Sequence, residues 1–505
     1  MNNKKNIYLN LIFSILLQFF EIISTLIIPR LIIQTFGSEV NGLVSSLNQF
    51  LNYVALLEGG VASVMMANLY KPLLDKDDVK ISSIYVTMQR FFRKLSLIFV
   101  IFAFGLAGLY PLFVHSSFSW SYVFSLTLIL ALTLLIKYVF SMSNKLILNS
   151  DNKIYVTAFI QIIVVAVNII VVYLVIKFFP NIHIVKLATT AVLLIQPIGY
   201  WLYIKTHYNI DKKAEPDQST IKQRWNGFAI NIAHFIHDNT DIVVLTLFAG
   251  LSYVSVYSVY LLVCQGIKSI IGAAISSFVP TLGKKIAAND KEELNSFFDI
   301  FEFFSVSISF LAYSLGWVLI IPFVSLYTKG VTDADYIQPI FATILMGAEL
   351  VYSLREPYLS LEFNANHFKQ ISKYAFIEAS INIITSIICV LFLGLIGVAI
   401  GTLIAMIYRS IMTYVYMKKN LMDRSYFIPI KYFFTYIIMT IGTFFAVNLL
   451  NKYSFHLNQN TLVFDFAIFT VVSIAFIVVL YMAITLVFHR KMFKKLFSYI
   501  KFKKI

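Results

Sequence analysis

The chain has little charge and little with which to crosslink itself. Asp, Glu, Lys and Arg make up 13% of its 505 residues, and there are two cysteines, 11 prolines and 19 glycines. The cysteines, Cys264 and Cys389, both fall inside apolar runs, which excludes a disulfide framework in the loops and leaves the redox compartment open. Neither a GxxxxGK[ST] phosphate loop nor an HExxH zinc motif occurs, so the residue sets of P-loop nucleotide hydrolysis and of a zinc protease are missing. The longest polar stretch is about 205–225. A soluble catalytic domain therefore has no room, and an enzyme such as a glycosyltransferase or polymerase would lack the large external loop it needs.

What fills the chain is apolar. Hydrophobic residues reach 59%, in runs near the ~20 residues that a helix needs to cross a bilayer. Runs such as 126–136 and 160–176 carry no charge. The pattern predicts an all-α polytopic membrane protein of about fourteen spans: 9–33, 41–68, 95–114, 119–143, 154–179, 183–205, 226–248, 252–282, 298–328, 335–360, 370–393, 395–417, 428–450 and 462–488. The spans 41–68 and 335–360 are the most polar. The first run is too long for a cleavable signal and lacks a small-residue cleavage site, so it reads as the first span.

A net charge of +15 raises nucleic acid as a partner, but its placement argues for a membrane instead. With the N-terminus inside, about 31 Lys and Arg side chains fall on the N-terminal side of these spans, as the positive-inside rule expects. Lys177, Lys186, Lys329 and Lys452 fall on the other side, and Arg30, Lys137, Lys268, Arg355 and Arg409 lie within spans. Both termini are expected in the cytoplasm. The Ile, Asn, Lys and Phe richness fits an AT-rich bacterial genome, and the cytoplasmic membrane is the expected location.

Shifted by 214 residues, the chain aligns with itself: Leu31 meets Leu245, Ser38 meets Ser252, Val40 meets Val254 and Lys71 meets Lys285. Six spans per unit make these parallel repeats, related by an axis along the membrane normal with a site at their interface. The expected organisation is 1–205 as one lobe, 206–225 as a cytoplasmic linker, 226–420 as the second lobe, 421–488 as two additional spans and 489–505 as a basic tail. The tail alternates Lys with Phe493, Leu496, Phe497 and Ile500. It reads either as an interfacial amphipathic helix on anionic lipid or as a basic stop after the last span. Small residues at 59–63 and 272–277 permit close helix approach.

Function must come from charges where charge is costly, ~2.5–3.5 kcal/mol at the bilayer centre on insertion scales. Glu21 and Arg30 lie in span 1, Arg30 just after Pro29. Span 7 carries His234, His237, Asp238 and Asp241; His234, Asp238 and Asp241 share one helical face. These are read as lining a central cavity and serving a proton, a sodium ion or a sugar hydroxyl; the alternative is a buried ion pair holding the lobes together. No resident cofactor or metal is expected. Glu58, Lys268, Glu349, Glu378 and Arg409 add to the cavity, whereas Lys137, Arg355 and Glu356 sit near cytoplasmic span ends, where they can snorkel.

The segment 30–61, RLIIQTFGSEVNGLVSSLNQFLNYVALLEGGV, with the following Tyr70-Lys71-Pro72-Leu73, resembles the polysaccharide-exporter family of Wzx-type flippases, as does 239–260, NTDIVVLTLFAGLSYVSVYSVY. That family lies within the multidrug/oligosaccharidyl-lipid/polysaccharide transporter superfamily. The resemblance implies two six-helix lobes in a V, two additional C-terminal helices and alternating access. It also implies an undecaprenyl-diphosphate-linked oligosaccharide as cargo, with polymerase and glycosyltransferases as partners; Arg30 and Asp241 are the matched site residues. With that cargo, Arg30, Lys268 and Arg409 are expected to meet the diphosphate, and Tyr53 and Tyr257 to stack on sugars. The acids would exchange a coupling H+ or Na+. A drug or cation antiporter and a lipid II flippase of the same superfamily are the alternatives.

Overall fold

A computed structural model describes residues 2–58, 61–114, 116–217, 239–288, 290–451 and 463–502. The described residues are helical with no strand, and eleven of the helices are long and apolar enough to cross a membrane. The chain is an all-α polytopic membrane protein.

The first half of the chain runs α1 (Asn2–Asn52), α2 (Ala55–Glu58), α3 (Val61–Asp75), α4 (Asp78–Phe113), α5 (Trp120–Ile136), a π-helical turn (Lys137–Ser141), α6 (Met142–Ser150), α7 (Ile154–Phe178), α8 (Ile182–Leu193) and α9 (Ile195–His207). It continues with α10 (Asn239–Phe248), α11 (Leu251–Ser276), α12 (Val279–Ala287), α13 (Lys291–Tyr327), α14 (Pro339–Leu354), α15 (Glu356–Asn364), α16 (Phe368–Leu393), α17 (Leu395–Asn420), α18 (Phe427–Leu450), α19 (Val463–Phe488) and α20 (Arg490–Phe502). Packing divides these into two compact units, one of Met1–Phe235 with Gly250–Ser255 and one of Ile236–Ala249 with Val256–Ile505.

Several elements recur at the 214-residue offset. Gly37, at φ 86° and ψ 172°, kinks α1, and the corresponding place near Gly250, at φ 104°, separates α10 from α11. Glycine tolerates these left-handed φ values without a Cβ clash. The 36-residue α4 and the 37-residue α13 each open on an aspartate cap: Asp77 accepts from Lys80 N at 3.0 Å, and Asp290 from Glu293 N at 2.9 Å. At ~1.5 Å per residue both outrun the ~30 Å hydrocarbon core. The π-turn at Lys137–Ser141 corresponds to 351–355, where α14 gives way to α15 at Arg355. The start of α7 at Ile154 corresponds to the start of α16 at Phe368.

Two expected spans are not single long apolar helices. In 41–68 the helix stops at Asn52 and restarts at Ala55, and 335–360 breaks at Arg355; of 226–248 only 239–248 lies within the described residues, as α10. Polar side chains and helix breaks lower the first two below a continuous spanning run. The segment 208–217 is held along α4: Ser82 Oγ accepts from Asp211 N at 2.9 Å, and Ser83 Oγ donates to Glu215 O at 2.5 Å. Residues 218–225 of the expected linker lie outside the described residues.

Close helix approach occurs elsewhere than at 272–277. An added Cβ at Gly272 would meet nothing within 4 Å, and Gly59 and Gly60 lie outside the described residues. One tight contact is between α16 and α17, where a Cβ on Gly397 would sit 2.2 Å from Cys389 O and one on Gly401 2.6 Å from Ser386 N. Gly397 and Gly401 form a small-xxx-small pair that lets two backbones touch where apolar attraction between helices is weak.

Candidate functional site

In the first unit Tyr138, Lys137 and Lys145 gather around Glu58. Tyr138 hydrogen-bonds the Glu58 carboxylate, and Lys137 and Lys145 both act on it electrostatically; Lys145 also reaches Glu21. The π-turn aligns the two lysines. Residues eight apart in a regular α-helix sit about 80° apart around the axis; the extra residue taken up by a π-turn removes most of that offset. Lys137 is exposed, and Glu21, Arg30, Glu58 and Lys145 are half-buried. Lys145 lies on α6, in the helical run that continues from α5. Arg30 follows Pro29 within α1. Tyr53 is half-buried in the turn after α1, its ring tilted against Phe50 at 6.4 Å.

In the second unit Asp241, Glu349, Arg355, Glu378 and Arg409 are buried. Asp241 on α10 is 5% exposed; its Oδ2 accepts from Tyr257 Oη at 2.8 Å and from Thr402 Oγ1 at 2.9 Å, while Oδ1 has no hydrogen-bond partner. Asn382 Nδ2 reaches Thr402 Oγ1 at 3.4 Å, and Ser386 Oγ donates to Asn382 Oδ1 at 3.3 Å. The Asp241 carboxylate faces two hydroxyls, backed by the Asn382 amide through its nitrogen. A carboxylate with hydroxyl neighbours suits a proton or a hard cation rather than a thiophilic metal. Among the described residues no group of three or more His, Cys, Asp or Glu is placed to hold a metal.

Glu378, Asn382 and Ser386 follow one another at four-residue spacing on α16, so they form one stripe. It leads from Asp241 to a second cluster. Arg355 Nη1 pairs with Glu378 Oε1 at 2.7 Å, Arg409 Nε lies 3.7 Å from Glu378 Oε2, and Arg409 Nη1 donates to Ile371 O at 3.1 Å. Lys268 pairs with Glu349 at 2.7 Å and lies over the Tyr352 ring at 4.3 Å, with the Arg355 guanidinium 4.4 Å from the same ring. A third cluster joins Arg424 to Asp299 at 2.6 Å and to Glu302, which also accepts from Tyr358 Oη at 2.5 Å.

These placements revise several expectations. Arg355 is 1% exposed and paired, so it does not snorkel, because a carboxylate lies within reach inside the bundle. Glu356 is half-buried beside it. Arg409 is 2% exposed, donates to Ile371 O and lies beside Glu378. Lys268 is tied to Glu349, and the Tyr257 hydroxyl is held by Asp241. His234, His237 and Asp238 lie outside the described residues. Thr402, Asn382 and Ser386 escaped the sequence reading because neutral polar residues are common in spans; their four-residue spacing from Glu378 was the available signal. Glu302, Asp299, Arg424 and Glu362 escaped it because they lie beyond, or at the very ends of, the apolar runs.

No family model and no curated protein matches the sequence. Solved structures do match in fold. A lipid II flippase MurJ in an inward closed conformation superposes with a TM-score of 0.67 at 17% identity, covering 96% of this chain and 100% of its own. An inward-facing multidrug resistance MATE family transporter of the MOP superfamily gives 0.62 at 15%, covering 78% and 93%. The MATE multidrug transporter DinF-BH gives 0.60 at 17%, covering 83% and 95%. The chain therefore has the fold of these transporters.

Proposed function

We propose that this protein is a flippase that moves an undecaprenyl-diphosphate-linked oligosaccharide from the inner to the outer leaflet of a bacterial cytoplasmic membrane, for cell-surface polysaccharide assembly. It works by alternating access, with both termini cytoplasmic. The supporting observation is coverage: the lipid II flippase accounts for nearly the whole chain, the multidrug transporters for about four-fifths of it. A polyanionic headgroup with a hydrated glycan cannot cross hydrocarbon unaided. Arg30, with Lys137 and Lys145 aligned by the π-turn, offers it cations that are open to a ligand, arginine in the bidentate geometry that phosphate favours. Asp241, with Thr402 and Asn382, takes the coupling H+ or Na+; an ion shifts the conformational equilibrium only by its difference in affinity between states. Polymerase and glycosyltransferases are the functional partners, and no resident cofactor is required.

The same coverage favours a second reading, that the cargo is lipid II itself. Proteoliposomes loaded with fluorescent lipid-diphosphate oligosaccharide or with fluorescent lipid II separate the two. The first reading predicts faster flipping of the oligosaccharide, and its loss in Arg30→Ala at unchanged protein level. Wild-type flipping by Arg30→Ala would remove Arg30 from the site.

A further inference from the structure

Glu362, on α15, is 0% exposed, and neither carboxylate oxygen has a hydrogen-bond partner. A buried ionised carboxylate left in that condition forfeits hydration with nothing in exchange. Two guanidiniums are nevertheless close enough to act on it electrostatically, those of Arg409 and Arg355. Each guanidinium has a bare nitrogen: Arg355 Nε and Arg409 Nε are buried without a hydrogen bond. Arg409 lies at a long 3.7 Å from Glu378, which is already engaged by Arg355 at 2.7 Å. An acid without a partner and an arginine with half of one therefore face each other inside one unit.

The elements packed on α15 supply the other groups that matter. α16 brings Glu378; α17 brings Arg409 and Tyr416, whose phenol is within electrostatic reach of Glu362 and hydrogen-bonds His367 Nδ1 at 2.7 Å. α13 brings Glu302, occupied by Arg424 and Tyr358. α12 brings Lys285, paired with Glu293, and the exposed Lys284. None of them hydrogen-bonds the Glu362 carboxyl.

We propose that Glu362 is a proton-binding site and that its proton sets which carboxylate Arg409 pairs with. With the proton on, Glu362 is neutral and Arg409 leans on Glu378 of α16. When the proton leaves to solvent, the new carboxylate takes Arg409 as its partner, and two cations then face two anions. The exchange couples α15 to α17 through one side chain. This site is separate from Asp241 and admits no metal cation, since both flanking charges are positive.

The test needs no cargo, so it stands or falls independently of the flippase reading. Infrared difference spectra of the full-length protein in lipid nanodiscs should show, at neutral pH, a protonated-carboxyl stretch that is absent in Glu362→Gln and that bleaches as pH is raised. In Arg409→Gln the band should persist to higher pH, because a neighbouring cation that favours the ionised form is gone. Glu362→Gln, isosteric with the neutral acid, should melt at the wild-type temperature at pH 7. Absence of the band, or a large fall in melting temperature for Glu362→Gln at that pH, would show an ionised, partnered carboxylate and overturn the proposal.

Discussion

The two units share several helix starts and breaks at the 214-residue offset, yet they hold their charges in different ways. In the first, Glu21, Arg30, Glu58, Lys137 and Lys145 are exposed or half-buried. In the second, Asp241, Glu349, Arg355, Glu378 and Arg409 are 1–7% exposed and tied to one another or to hydroxyls. The offset that aligns the backbones does not align the charges: Glu58 falls opposite Gly272, Arg30 opposite Val244 and Lys137 opposite Val351. The difference shows that the two units share several backbone breaks without sharing their charges. An open cationic set can meet a ligand; a sealed, nearly balanced one can hold helices together and bind a small ion.

The comparison can be broken most sharply by removing one partner of a sealed pair. Glu378→Ala strands Arg355 without its 2.7 Å partner and should cost about 3–5 kcal/mol, whereas Lys137→Ala in the exposed set should stay within about 0.5 kcal/mol. Thermal melts of the purified protein in one lipid would compare them; equal losses would erase the distinction. A smaller effect is expected from Gly401→Ala. Its new Cβ would meet Ser386 Oγ at 2.2 Å, and such overpacking costs typically ~1–3 kcal/mol. A melt unchanged from wild type would mean that α16 and α17 separate freely.

The smallest effect concerns the tail. His489, just past α19, is packed among Tyr432, Tyr436 and Phe303; burial first, and then nearby Lys431, push its imidazole down to about 4. The unfolded imidazole takes up a proton near its ordinary 6.5, so the folded state is penalised as pH falls from there towards 4. Docking of α20, which also sets Tyr499 against Phe278 and Phe297 and Lys495 against Asp299 at 3.7 Å, should loosen over that window. A fluorophore at Ser498→Cys would report it, and His489→Phe should abolish the pH dependence.

Much of the fold was legible. Runs of apolar residues fix helices because a bilayer forces every backbone group to bond within its own segment, and the 214-residue offset survived as matching kinks. The charge environments were not legible. Depth along a span says that Arg355 and Arg409 are costly, but not that Glu378 waits on the neighbouring helix for both. Pairing is a property of which faces meet, and α16 meets α17 closely only because Gly397 and Gly401 lack side chains. Glu362 lay just past an expected span end at 360, where an acid reads as solvated; only packing shows it buried.

The central claim is a division of labour, cargo in the first unit and ion in the second. Its most direct test is the flipping rate of fluorescent lipid-diphosphate oligosaccharide in proteoliposomes, with and without an imposed proton or sodium gradient, for wild type, Arg30→Ala and Asp241→Asn. Arg30→Ala should lose flipping under every gradient, by about 10–100-fold if a charged hydrogen-bonded contact of ~1.5–3 kcal/mol is removed. Asp241→Asn should keep a basal rate and cargo binding but no longer respond to the gradient. Full gradient dependence in Asp241→Asn, or the same loss in both variants, would contradict the division and leave Asp241 as a structural partner of Tyr257 and Thr402.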